Sequence, residues 1–335
     1  MTINGQSVSD EVPTPGPSEP LDARRGGTGR TGDRLFSGLS VGAGLVVIVI
    51  VTLVGLFLLA AAIPALRANE GSFLFQRGWS TSPLNFGIVQ LLWTTVASSA
   101  VALAVAVPFA IGIALFLTEY SPAWLSRPAA ATIDLLAAVP SIVYGLWGVY
   151  IVAPHFVPVQ NAIESALGWI PLLSKVSSVS GGTTIFFVGL VLAVMILPII
   201  TAISREVFAQ TPSTHKEGAL ALGATTWEMI RTAILPFGKP GVISASMLGL
   251  GRALGETVAV MYILSTLPQA SAWTWSLFNG GSTFASLIAS NASEAISSIT
   301  QMGAYIAAGL VLFVLTFVVN AMARVVIERR KAFTE

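Results

Sequence analysis

The stretch LGLGRALGETVAVMYIL, residues 248–264, decides how this chain is read. It is apolar enough to sit in a membrane, yet it carries Arg252 and Glu256 near its middle. Each charge at mid-bilayer costs on the order of 2.5–3.5 kcal/mol on insertion scales, so two facing lipid would cost about 5–7 kcal/mol. Facing lipid is therefore excluded as an arrangement, and the polar face must look into protein or a water-filled path. On an unbroken helix, residues four apart stand roughly 40° apart around the axis, on one face. The two can then pair, although Arg before Glu is the weaker order.

The neighbours of the pair are small. Gly241, Ala245, Gly249 and Ala253 recur at spacing four, and Gly251, Gly255 and Ala259 form a second stripe. Such stripes let another helix backbone come close. This marks a central helix with a polar seam. Two readings of the seam follow. Arg252 and Glu256 could lock helix packing as a buried ion pair, which gives little net stability. Alternatively, Arg252 lines an anion path, because guanidinium binds oxyanions bidentately and stays charged. Glu256 would then hold Arg252 and keep the anion from being trapped, since conduction needs release as well as binding.

The rest of the chain fits a membrane setting. Of 335 residues, 54% are hydrophobic and only 10% charged, against about 25% charged in a soluble domain. Mean hydropathy is +0.80. Cysteine is absent, which excludes disulfides, thiolate metal sites and cysteine nucleophiles. Two histidines far apart, His155 and His215, make a histidine-based metal site unexpected, so no metal is assigned. A spanning helix needs roughly 20 apolar residues. Six candidates lie near 38–65, 87–118, 129–153, 183–204, 240–266 and 303–327. The expected fold is an all-α polytopic membrane protein of six transmembrane helices, with helices two, three and four kinked at Pro108, Pro140 and Pro198.

Residues 1–35 are rich in Pro, Gly, Ser, Thr and Arg and read as a disordered tail. The twin arginine in ARRGGTGR precedes an apolar run too long for a signal-peptide core of about 7–15 residues. Placing both termini in the cytoplasm puts thirteen Lys and Arg inside and leaves only Arg67, Arg77 and Lys175 outside. Residues 36–330 form the membrane domain and 331–335 the cytoplasmic end. Outer loops are expected at 154–182 and 267–302, with Trp169, Trp273 and Trp275 as boundary markers and a short amphipathic surface helix at 282–297.

Between spans four and five lies EGALALGATTWEMIRTAILP, residues 217–236. Leu220, Leu222, Trp227, Ile230 and Ile234 recur at helical spacing, which predicts two short helices separated around Gly223. This segment resembles the EAA signature of ABC importer permeases, which is Glu-Ala-Ala, three residues, Gly, nine residues, Ile, one residue, Leu-Pro. Glu217, Gly218, Ala219, Gly223, Leu235 and Pro236 match it, with Gly218 a small-for-small change; Ala233 stands where the pattern has Ile. AAVPSIVYGLWGVYIV (137–152) and LGLGRALGETVAV (248–260) are similar to the third and fifth spans of phosphate-specific ABC permeases. GETVAV favours the C-type subunit family, PstC, over the A-type, whose members read Gly-Glu-Thr-Ala-Pro there.

The resemblance implies a type I ABC importer permease fold in a bacterial cytoplasmic membrane. It implies a second permease of PstA type, an ATPase dimer of PstB type using ATP and Mg2+, and an extracytoplasmic phosphate-binding protein of PstS type. By the same resemblance, Arg252 and Glu256 belong to the phosphate path and 206–238 forms the ATPase-coupling element. The chain holds no Gly-x4-Gly-Lys-Ser/Thr stretch, so it carries no P-loop, and hydrolysis falls to another chain. It is expected to be no enzyme and to bind no cofactor itself.

Other positions carry weaker signals. Ser141 and Tyr144 follow Pro140 and could offer hydrogen bonds to a passing anion. Asp134 could gate or carry a proton; the plainer reading is a helix cap or a headgroup or ATPase contact. Glu119 and Tyr120 read as solvated boundary residues, and His215 as a surface residue. Three other functions remain open at this point. A permease for sulfate or molybdate would use the same arginine. A proton-coupled transporter would use Glu256 and Asp134 and leave the coupling segment unexplained. A scaffold would need Arg252 for assembly alone.

Overall fold

The computed structural model describes residues 29–81, 84–174, 176, 182–264, 273–296 and 298–331. Residues 1–28, which hold most of the expected tail, and 332–335 lie outside the described residues. The described residues divide into two compact units, one up to Val54 and one from Gly55 onward. Helix α1 spans Gly29–Ala68 and so begins inside the stretch expected to be a tail. Extending an existing helix by a turn costs far less than nucleating one, which lets the polar residues before Leu35 join the apolar run. In the first unit the large apolar side chains of α1, among them Leu35, Phe36, Leu45 and Ile48, are exposed.

Among the described residues, six helical stretches are long and apolar enough to cross a membrane: Gly32–Ala68, Val89–Tyr120, Ser141–Leu167, Ile185–Ala209, Thr226–Leu254 and Ile299–Val325. The second is α2 (Val89–Leu115) continued by a π-helical turn, Phe116–Tyr120. The fourth is α6 (Ile185–Ala209), with Pro198 inside it. The sixth lies in α12 (Ile299–Lys331). Helices α2 and α6 pack along each other, and Gly189 makes this possible: a Cβ there would stand 2.6 Å from Val101. The buried core between them is aliphatic and includes Ala102, Ala106, Val188, Leu192 and Ile196.

The third span is displaced from its expected position. The chain forms a separate helix α3 (Ala123–Ala137), breaks, and restarts as α4 (Ser141–Trp147). A π-helical turn, Gly148–Val152, leads into α5 (Ala153–Leu167). Proline explains the break. Pro140 lacks an N–H and disfavours helical conformation at Val139, so it caps α4 rather than kinking a longer helix. The helix then runs on through much of the expected outer loop 154–182. Asp134 lies before the break, on the exposed surface of α3, and pairs with Arg205 on α6 at 3.7 Å rather than capping a helix.

Spans two, four and five leave one end of the second unit carrying Arg127, Arg205, Lys216, Arg231 and Lys239. This is called the basic end below. At the opposite end, β1 (Trp79–Thr81) and β2 (Leu84–Phe86) pair antiparallel, Trp79 opposite Phe86. There too, residues 273–283 are folded inward. Ser276, Phe278 and Asn279 are fully buried, and the backbone of this segment bonds to Leu172 and to the first residues of α6. Trp273 and Trp275 form an edge-on cluster with Trp93 instead of standing alone as boundary markers, whereas Trp169 is exposed. The short helix α11 (Phe284–Asn291) begins with a capping box at Thr283 and buries Phe284 and Leu287. It is thus part of the core rather than a surface helix, because its apolar face meets α2 and α12.

Candidate functional site

The fifth span starts earlier and stops sooner than its apolar run suggests. Helix α8 (Thr226–Met229) opens with a capping box between Thr225 and Glu228. It passes through a π-helical turn, Ile230–Ile234, into α9 (Leu235–Leu254). After Leu254 the helix ends, and α10 (Val258–Ile263) begins anew. Arg252 therefore occupies the last turn of α9, where a cation suits the helix dipole. Glu256 occupies the break. Its Oε1 accepts a hydrogen bond from the Ala259 N–H at 3.1 Å and so caps α10. The expected ion pair is not formed: Arg252 and Glu256 do not approach within the 4.0 Å of an ion pair. The unbroken helix that would have stacked them is interrupted at Gly255.

The depth of this break follows from the glycines of α9. A Cβ at Gly238 would stand 2.5 Å from Phe208, one at Gly241 2.5 Å from Val207, and one at Gly249 2.8 Å from Ile200. The first small-residue stripe thus lies against α6, as its spacing predicts, and α9 runs antiparallel to it. Gly249 meets Ile196 and Ile200, near the middle of α6, so Arg252 and Glu256 lie half-way through the membrane-spanning layer. The second stripe behaves differently. Gly251 has open space beside it, and Gly255 is exposed.

Helix α4 closes on the break from the other side. A Cβ on Gly145 would stand 2.9 Å from the Ala259 Cα, and one on Gly148 3.2 Å from Ile263. This contact sets Tyr144, the neighbour of Gly145, at the side of the break. The Tyr144 hydroxyl donates to the Leu136 carbonyl at 2.9 Å across the Ala138–Pro140 break. Its hydrogen is committed to the fold. Ser141 opens α4 one turn earlier. The structure brings Arg252, Glu256 and Tyr144 to one broken-helix junction. Glu256 is 8% exposed, whereas Arg252 is half-buried and forms no ion pair among the described residues. Broken helices deep in a membrane protein are tolerated where they line a cavity or are buried in protein.

At the basic end, α7 (Ser213–Ala221) and α8 are the two short helices expected on either side of Gly223. Gly223 has φ +84°, in the left-handed region glycine tolerates. The apolar residues of this segment split into two sets. Ile230 and Ile234 are fully buried with Phe208 and Leu115, and Ala219 packs on the same cluster. Leu222 is 90% exposed and Trp227 57% exposed, with Leu220 beside them. Glu217, Gly218 and His215 are exposed as well, Leu235 is half-buried, and Pro236 lies in the first turn of α9. Glu119 is not a solvated boundary residue. Its side chain is 8% exposed and meets Lys216 Nζ at 2.7 Å. No local signal gives this pair away, because the partners lie 97 residues apart.

Residues 106–332 match the family described as the binding-protein-dependent transport system inner membrane component. The phosphate transport system permease protein PstC 2 of Mycobacterium tuberculosis is 54% identical over 301 residues, covering 89% of this chain and 92% of its own. The PstC protein of Mycobacterium leprae is 55% identical over 275 residues, covering 81% and 85%. Among solved structures, a chain of a bacterial ABC transporter involved in import of the polysaccharide alginate aligns with TM-score 0.55 at 15% identity, covering 90% of this chain and 99% of its own. A chain of the inward-facing MetNI methionine ABC transporter aligns with TM-score 0.50 at 15% identity, covering 72% and 95%. The two structures speak for the fold alone, and that fold is the ABC importer permease fold the sequence predicts. The family match and these relatives agree: the chain belongs to the binding-protein-dependent transport permeases, in the PstC family.

Proposed function

We propose that this chain is the PstC-type permease subunit of an ATP-driven phosphate importer of a bacterial cytoplasmic membrane, with both termini inside. The observation that carries the reading is Arg252, a guanidinium without an ion-pair partner among the described residues, at a helix break half-way through the spanning layer. Guanidinium offers a planar fork of donors that fits tetrahedral oxyanions. Ser141 on α4 offers a donor, Tyr144 offers an acceptor oxygen to a phosphate hydroxyl because its own hydrogen is held by Leu136, and Glu256 limits how strongly the anion is held. The chain forms half of the path and a PstA-type permease forms the other half. Phosphate arrives from a PstS-type binding protein. A PstB-type ATPase dimer, which binds ATP and Mg2+, engages the segment that holds Glu217, Gly218, Ala219, Gly223, Leu235 and Pro236. The exposed Leu222 and Trp227 supply apolar anchors for that contact. Sulfate or molybdate transport and proton-coupled transport are not favoured, given relatives of this identity.

The test is ATP-dependent phosphate uptake by the reconstituted complex, wild type against Arg252→Gln. Removing a charged donor from a buried anion contact costs about 2–4 kcal/mol, so uptake is expected to fall by about 30-fold or more while the complex assembles and hydrolyses ATP. Unchanged uptake would remove Arg252 from the path.

A further inference from the structure

The Lys216–Glu119 pair has no place in the anion path, yet it is built as a joint. Glu119 sits in the π-helical turn that ends the second span, and its carboxylate is taken out of water there. A carboxylate so placed is tolerated only with a charged or hydrogen-bonding partner. Lys216 supplies it from α7, immediately before Glu217 and the coupling segment. The main other contacts of α7 run to α8 and the Ile230–Ile234 turn, both within the fifth-span polypeptide, and Ala219 packs on the apolar cluster that includes Leu115 of the second span. The ion pair adds to this apolar contact a charged tie between α7 and the end of the second span. π-helical turns inside α-helices concentrate at functional positions, because the extra residue can shift along the helix. Thr118 in this turn donates from its Oγ1 to the Ala114 carbonyl at 3.1 Å.

We propose that Lys216 and Glu119 form a positioning pair that passes movement of the coupling helix directly to the second span, in parallel with the covalent route through α8 and α9. This rests on the importer reading given above. When the ATPases draw the coupling segments together, α7 moves with them. The fifth span follows because it is the same polypeptide, and the second span follows because the buried carboxylate cannot leave its ammonium partner without a large desolvation cost.

The experiment uses the complete reconstituted transporter and measures phosphate taken up per ATP hydrolysed. The variants are Lys216→Met, Glu119→Gln, Lys216→Arg and the exchanged pair Lys216→Glu with Glu119→Lys. Amide hydrogen exchange over 213–221 is measured in the same proteins. Coupling between sites is typically worth about 5–150-fold, so the ratio should fall by about tenfold in each single neutral variant. Lys216→Arg and the exchanged pair should restore it to within about threefold, since both keep opposite charges at the contact. Exchange over 213–221 should quicken in the neutral variants and recover in the exchanged pair. A ratio unchanged in the neutral variants, or exchange unaltered by them, would overturn the proposal. A wild-type complex that hydrolyses ATP without moving phosphate would instead defeat the importer reading, and the exchange measurement would still decide whether the pair holds α7.

Discussion

Arg252 and Glu256 show how a residue's role changes when the helix beneath it stops. Four residues of unbroken helix would have stacked them into a pair, and the guanidinium would have been neutralised by its own chain. The break after Leu254 gives Glu256 a different task, the capping of α10 through the Ala259 N–H. Its charge and its hydrogen bond can therefore be separated by mutation. Glu256→Gln keeps an acceptor oxygen and should leave thermal stability of the purified complex near wild type. Glu256→Ala removes the acceptor and should cost about 1 kcal/mol, the usual worth of a helix cap, seen as a lower unfolding temperature. Equal stabilities for the two variants would show that the cap contributes nothing. The sequence revealed that two charges sit in an apolar run but not this division of labour. Gly255 has helix-tolerant neighbours, and helix ends inside apolar runs depend on a tertiary contact, here the close approach of Gly145 to Ala259.

At the scale of elements, hydrophobic length gave the number of spans and placed most of them, and helical spacing found the two short helices around Gly223. What length could not fix was where each helix breaks. The third span moved because Pro140 starts a helix instead of bending one, so that α3 and Asp134 stand outside the long apolar helix. Ion pairs between distant segments, Lys216 with Glu119 and Arg205 with Asp134, leave no periodic trace either. The coupling element itself offers a contrast between two glycines. Gly218 lies inside α7 with open space around it, whereas Gly223 holds φ +84° at the turn. Gly218→Ala should therefore stabilise the element by about 0.5–1 kcal/mol, the helix preference of Ala over Gly. Gly223→Ala forces an L-residue into the left-handed region and should destabilise by about 1–2 kcal/mol. Amide hydrogen exchange over 213–229 reads both; equal responses at the two sites would refute the turn geometry.

For the whole molecule, the exposed apolar surface and the charge pattern have to be explained together. Phe36, Ile48, Trp124, Leu135, Tyr150 and Phe317 all lie exposed on a chain with mean hydropathy +0.80. A water-soluble protein would not sustain this. A lipid surround for the six membrane-length helices accounts for it. The charges then fix direction. Arg127, Arg205, Lys216, Arg231 and Lys239 gather at one end of the second unit, while Arg67 and Arg77 stand at the other. Positive charge is retained on the cytoplasmic side, so the coupling segment should face the cytoplasm and the β1–β2 hairpin the exterior. The chain lacks cysteine, so single introduced cysteines report topology without background. Ser72→Cys, exposed before the hairpin, should react in intact cells with a membrane-impermeant maleimide. Thr214→Cys, exposed on α7, should react only after permeabilisation. The reverse pattern would turn the molecule over and leave the coupling segment on the side without ATP, which no ATP-driven reading of this chain survives.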